Sequence, residues 1–215
     1  MWLLSFFSSS IGKKIIMAST GLLLLLFLVV HAVGNAAIFF SSKAFQTYAD
    51  ALHGFPVVVF VFGLGLLVIL LAHIYFGITL FLQNRKIGAS RYAVNARVCK
   101  NTFASSTMPY SGLFILLFIV IHVFGFGINP TDTKISVLVV ERLSNFYYGL
   151  FYIFSFCVLA LHLSHGFWSM LQTFGINHPR YNEAISVLTY IVPGLFLVFF
   201  AAIALYFMTG MGANY

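Results

Sequence analysis

The sequence predicts an all-α, polytopic membrane protein: one domain over 1–215, with five transmembrane helices and a four-helix core. Three observations predict it. Hydrophobic residues make up 61% of the 215 and charged residues only 7%, where a soluble domain carries about 25% Asp, Glu, Lys and Arg. Mean hydropathy is +1.03, so the chain cannot build a charged surface. Five stretches reach the about 20 apolar residues that a helix needs to cross hydrocarbon. The alternating strand-length segments of a membrane barrel are absent.

The first span is expected at about 15–40, following Lys13 and Lys14. Its apolar run far exceeds the about 7–15 residues of a cleavable signal core. The second is expected at about 55–82 and the third, the shortest, at about 110–128. Pro109 marks the start of the third, because proline suits the first turn of a helix. The fourth is expected at about 146–172 and the fifth at about 185–209. Pro193 and Gly194 predict a kink near the start of the fifth, which membrane helices tolerate. No segment outside the spans is long enough for a second domain.

The net charge is +7. It reflects a shortage of acids, which are Asp50, Asp132, Glu141 and Glu183. The basic residues flank apolar spans, so they read as topology determinants and lipid contacts and not as a nucleic-acid surface. Lys13, Lys14, Arg85, Lys86, Arg91, Arg97, Lys100 and Arg180 fall on one side of the membrane. Only Lys43, Lys134 and Arg142 fall on the other. Positive residues stay inside, which places the N-terminus in the cytoplasm and the C-terminus outside. Cys99 and Cys157 are too few and too far apart for a disulfide framework or an iron–sulfur site.

One histidine sits in each of the first three spans, His31, His73 and His122, and the fourth span has His162 and His165. An imidazole in hydrocarbon needs a partner. A helix rises about 1.5 Å per residue, which puts His31 roughly 15 Å and His122 roughly 10 Å below the outer edge. On the same scale His73 lies roughly 27 Å and His165 roughly 30 Å down. Two layers result: an outer pair from spans one and three, and an inner pair from spans two and four. Two haems wedged between facing helices would satisfy both pairs. Two axial imidazoles saturate haem iron, leave no site for oxygen and suit one-electron transfer. Spacing alone does not choose between His162 and His165. Buried histidines can also bond a neighbouring serine, a carbonyl or a water-filled path. Zinc, copper or di-iron sites would need carboxylates or thiolates, which are almost absent from the spans. Small residues follow the histidines (Gly34, Asn35, Gly77, Gly125, Gly166), as close approach of a porphyrin to backbone requires, although glycine also serves helix packing.

Several motifs now converge. Ser9-Ser10-Ile11-Gly12-Lys13-Lys14, Met17-Ala18-Ser19-Thr20-Gly21-Leu22 and His31-Ala32-Val33-Gly34-Asn35 lie in and before span one. Ala104-Ser105-Ser106-Thr107-Met108, with Tyr110 and Gly112, leads to His122, and His162-Leu163-Ser164-His165-Gly166-Phe167-Trp168-Ser169 with Gln172 lies in span four. Over nearly its whole length the chain resembles the five-helix, two-haem cytochrome b membrane anchor of bacterial succinate:quinone oxidoreductases (succinate dehydrogenase and fumarate reductase, complex II). The resemblance implies two b haems, ligands paired between helices one and three and between two and four, and His165 as the span-four ligand. His162 would then be a propionate or quinone neighbour or a packed polar residue. Where that family often carries Arg on the way into span three, this chain has Ser106. The resemblance further implies a flavoprotein and an iron–sulfur subunit docked on the cytoplasmic face, in a bacterial cytoplasmic membrane, and a membrane quinone, with menaquinone favoured, as redox partner.

In the outer loop, Gln46, Tyr48 and His53 are candidates for a quinone or propionate contact, and His53 can equally be a solvated loop residue. The basic segment Arg85–Lys100 is the candidate docking surface for the soluble subunits. Two other readings remain at this stage. One is the cytochrome b anchor of a hydrogenase or formate dehydrogenase, which usually distributes its histidines differently. The other is a transporter using histidine relays, which would be expected to carry acidic residues inside the spans.

Overall fold

The computed structural model describes residues 6–87, 102–127, 133–212 and 215. The described residues form helices and no strand. Five helices are long and apolar enough to cross a membrane. They are α1 (Ser10–Asn35), α3 (Pro56–Ile87), α4 (Thr102–His122), α6 (Phe146–Thr173) and α7 (Asn182–Met208). Two short helices, α2 (Ser42–His53) and α5 (Ile135–Leu143), lie between spans at the end of the bundle where α1 finishes, the outer end in the expected orientation. Most of the segment Arg85–Lys100, together with Cys99 and Asp132, lies outside the described residues.

Local chemistry explains several boundaries. The Ser9 hydroxyl accepts from the Gly12 amide at 3.0 Å and starts α1. Ser41 does the same for α2, accepting from Ala44 at 3.0 Å, and Asn145 for α6, accepting from Tyr148 at 3.1 Å. Each cap satisfies an amide that the first helical turn leaves without a partner. α6 and α7 end at Gly175 and Gly210, both with φ 75°, where a side chain would be strained.

Two expectations need correction. Pro109 does not begin the third span. α4 starts at Thr102 and runs through the proline. Proline removes one amide donor, and in a packed membrane helix neighbours compensate for that loss. The outer connections are also more ordered than loops. In α2, Phe45 and Ala49, one turn apart, are buried. Gln46 fastens α2 to α5: its amide donates to Asp50 at 2.7 Å and its carbonyl accepts from the Ser136 amide at 3.1 Å.

The bundle core is aromatic and aliphatic. Tyr152 and Phe156 of α6 pack with Phe118 of α4 and with Phe200, Ile203 and Phe207 of α7. α7 packs chiefly on α6, while α1, α3, α4 and α6 surround a central space. α3 is apolar all round, and its outer half is exposed, including Val57, Phe60 and Val61. A helix apolar on every side suits contact with lipid.

Candidate functional site

The space between α1, α3, α4 and α6 is one continuous cavity of about 1620 Å³. That is larger than the about 300–1,000 Å³ of a single small-molecule site. Its walls are mainly apolar, and all five span histidines line it.

The histidines meet in two pairs. The ring of His31 on α1 lies 5.7 Å from that of His122 on α4, with the planes at 83°. The ring of His73 on α3 lies 6.5 Å from that of His162 on α6, with the planes at 63°. Spans one and three thus share one pair and spans two and four the other, the partition that depth predicts. Within the inner pair, the ring that meets His73 is that of His162. His165, one turn further along α6, lines the same cavity without supplying that contact. A one-turn step along a tilted helix is smaller than the error of a depth count, so only packing could separate the two residues.

The surroundings of the pairs differ. His73 Nδ1 lies 3.1 Å from the Thr20 hydroxyl, and His162 Nδ1 lies 3.1 Å from the Ser111 hydroxyl. Both hydroxyl residues are buried. The next residue is glycine in each case. A Cβ at Gly21 would lie 3.2 Å from His73 Cε1, and one at Gly112 would lie 3.4 Å from His162 Cε1. The outer pair is walled by rings instead. His31 touches Phe27 and Phe200, and His122 touches Phe118 and Phe126. His122 Nδ1 lies 3.2 Å from the Tyr152 hydroxyl, which lies 3.2 Å from that of Tyr148.

The other glycines divide by use. Gly34 is closed off by Tyr48, Gly125 by Tyr148 and Gly77 by Met17. Gly166 and Gly63, both lining the cavity, face open space. At the outer end Arg142 Nε is buried without a hydrogen-bond partner, and its guanidinium sits 5.8 Å from the Phe126 ring. At the inner end the lining turns polar, with Lys14, Asn84, Ser105, Ser169 and Gln172.

The outer-loop candidates fare unequally. Gln46 is consumed in fastening α2 to α5. Tyr48 and His53 line the outer part of the cavity. His53 Nδ1 donates to the Ala49 carbonyl at 2.8 Å, which leaves Nε2 as an acceptor. Among the described residues no group of three or more His, Cys, Asp or Glu converges on one point.

Thr20, Ser111, their glycines and Tyr152 are absent from the sequence-derived candidates. A signal for the first four exists. Thr20-Gly21 and Ser111-Gly112 both begin eleven residues before a span histidine, His31 and His122. His73 and His162 are each followed four residues later by glycine, Gly77 and Gly166. Spans one and two therefore share a pattern with spans three and four, and His162, not His165, holds the matching place.

Neither a family model, nor a curated protein, nor a solved structure matches the chain.

Proposed function

We propose that this chain is a di-haem cytochrome b, the membrane anchor of a succinate:quinone oxidoreductase, with His31 and His122 holding an outer b haem and His73 and His162 an inner one. The observation that carries the reading is the meeting of two histidine pairs, from alternate spans, inside one large apolar cavity.

The residues fit such groups. Two imidazoles bound through nitrogens at about 2.0 Å on opposite sides of one metal have ring centres about 6 Å apart. The observed separations are 5.7 Å and 6.5 Å. A porphyrin supplies four ligands itself and asks the protein for two, which accords with pairs and not larger clusters. Gly166 and Gly63 leave wall space that side chains would fill. Lys14, in the cavity lining, suits a propionate carboxylate at the inner end. A bound b haem would supply one-electron redox chemistry. The chain's own residues orient the two centres, exclude water from them and space them through the bilayer.

In this reading the flavoprotein and iron–sulfur subunits dock on the cytoplasmic side of a bacterial cytoplasmic membrane, beside the basic segment 85–100. A quinone, with menaquinone favoured by the resemblance, exchanges electrons at the membrane end of the path. Of the outer candidates, the Tyr48 hydroxyl can donate to a quinone carbonyl oxygen, whereas His53, with its Nδ1–H on the Ala49 carbonyl, would accept from a quinol hydroxyl.

A reduced-minus-oxidised spectrum of the purified chain, with a count of haem per protein, tests the proposal. Two b-type haems per chain are expected, and a chain without b-type bands would end it. Adding succinate to the intact complex should reduce the haems. Reduction by hydrogen or formate instead would move the chain to another quinone-linked enzyme.

A further inference from the structure

We infer that Thr20 and Ser111 are positioning residues that lock His73 and His162 in the Nδ1–H tautomer, leaving Nε2 of each free for the inner iron. The inference rests on the two-haem reading and adds what selects the reactive nitrogen.

A serine or threonine hydroxyl has one proton. The Thr20 hydroxyl donates to the Ile16 carbonyl at 2.8 Å, with the Met17 carbonyl at 3.1 Å as a second acceptor. The Ser111 hydroxyl donates to the Met108 carbonyl at 3.0 Å. Each hydroxyl thus has a carbonyl of its own helix to take its proton. What faces each imidazole is an oxygen lone pair. With the hydroxyl proton on the carbonyl, the hydrogen in each 3.1 Å contact comes from the ring. A neutral imidazole has a single N–H, so Nδ1 carries it and Nε2 is bare.

Hydroxyls bonded to their own helix are common here. Thr79, Ser155 and Thr209 also donate to carbonyls four residues back. What sets Thr20 and Ser111 apart is the histidine opposite and the glycine beside. Gly21 and Gly112 bring the rings to the helix surface, where the hydroxyl can reach Nδ1. The device occurs twice, from α1 toward α3 and from α4 toward α6. Spans one and three thus each carry a ligand for the outer centre and the tautomer lock for the inner one.

A hydrogen bond from a ligand imidazole to a fixed acceptor makes the ring a stronger donor and favours the oxidised metal. The test is a redox titration of the purified haem-loaded protein, following the two haems separately. Thr20→Val keeps the shape and removes the hydroxyl acceptor, leaving the Met17 carbonyl as the other group bonded to His73. Ser111→Ala removes the other. Each variant should raise the midpoint of the inner haem by about a tenfold change in the reduced-to-oxidised ratio, about 59 mV for one electron. The outer haem should stay in place, and Thr20→Ser should restore the wild-type value. Unshifted midpoints, equal shifts in both haems, or a Thr20→Ser variant that behaves like Thr20→Val would overturn the inference while the haem count upholds the two-haem reading. If Thr20→Val loses the inner haem, Thr20→Ser must retain it for the inference to stand. A wild-type chain that binds no haem refutes both.

Discussion

The inner and outer histidine pairs have comparable ring separations, yet they are built differently. The inner rings rest on two hydroxyl–glycine pairs from neighbouring spans. The outer rings sit among phenylalanines, and the hydrogen bond to His122 comes from a phenol that is itself tied to a second phenol. A hydroxyl that gives its proton to its own helix accepts from the ring and so favours one tautomer. A phenol within a chain of phenols can donate or accept. The inner site is therefore the more rigidly specified of the two, and the outer site is held chiefly by ring packing.

The strongest way to break the comparison is to remove ligands. His73→Ala or His162→Ala should each halve the haem content by losing the inner haem. His31→Ala or His122→Ala should lose the outer haem. His165→Ala should keep both. Haem-to-protein ratios and the low-spin signals in electron paramagnetic resonance would check this, and loss of the inner haem in His165→Ala with retention in His162→Ala would reverse the assignment.

A smaller but selective effect is expected from bulk beside the inner rings. Gly112→Val would push side-chain atoms into the His162 ring, already 3.4 Å from a bare Cβ position. Displacing a closely packed ring costs roughly 1–3 kcal/mol. Inner haem affinity should fall while the outer haem stays, as measured by haem retention during a mild chelating wash.

Tyr152→Phe sharpens the outer half. The ring contacts with Phe118 and Phe156 survive, and the hydrogen bond to His122 does not. A shift in the outer midpoint alone is expected, with a stability loss of about 0.5–1.5 kcal/mol. Redox titration and thermal unfolding in detergent report the two effects.

The smallest change is expected far from both centres. Gln46→Ala cuts the link between α2 and α5. A loss near 1 kcal/mol is expected, in line with a single buried hydrogen bond, with both haem spectra unchanged. A spectral change at the outer haem would mean that α2 shapes that centre directly.

The amphipathic helices α2 and α5 were hard to read because they are short and lie beside much stronger apolar runs. Pro109 misled because a rule for soluble helix starts weakens where neighbouring helices satisfy freed carbonyls. His162 and His165 differ by three residues on a single helical face, and depth arithmetic cannot divide them. The repeated spacing around Thr20-Gly21 and Ser111-Gly112 was legible, but its use was not. Nothing in a hydroxyl beside a glycine says which ring will stand opposite.

Composition and run length determined five spans, because hydrocarbon admits only segments that satisfy their own backbone. The periodic placement of histidines determined that two layers exist, because rise per residue converts directly to depth. Helix rotation, the facing of the His162 ring toward His73, the hydroxyl opposite each inner ring and the buried Arg142 nitrogen were decided by tertiary packing. Those depend on how the faces of separate helices turn toward one another, and no local spacing encodes that angle.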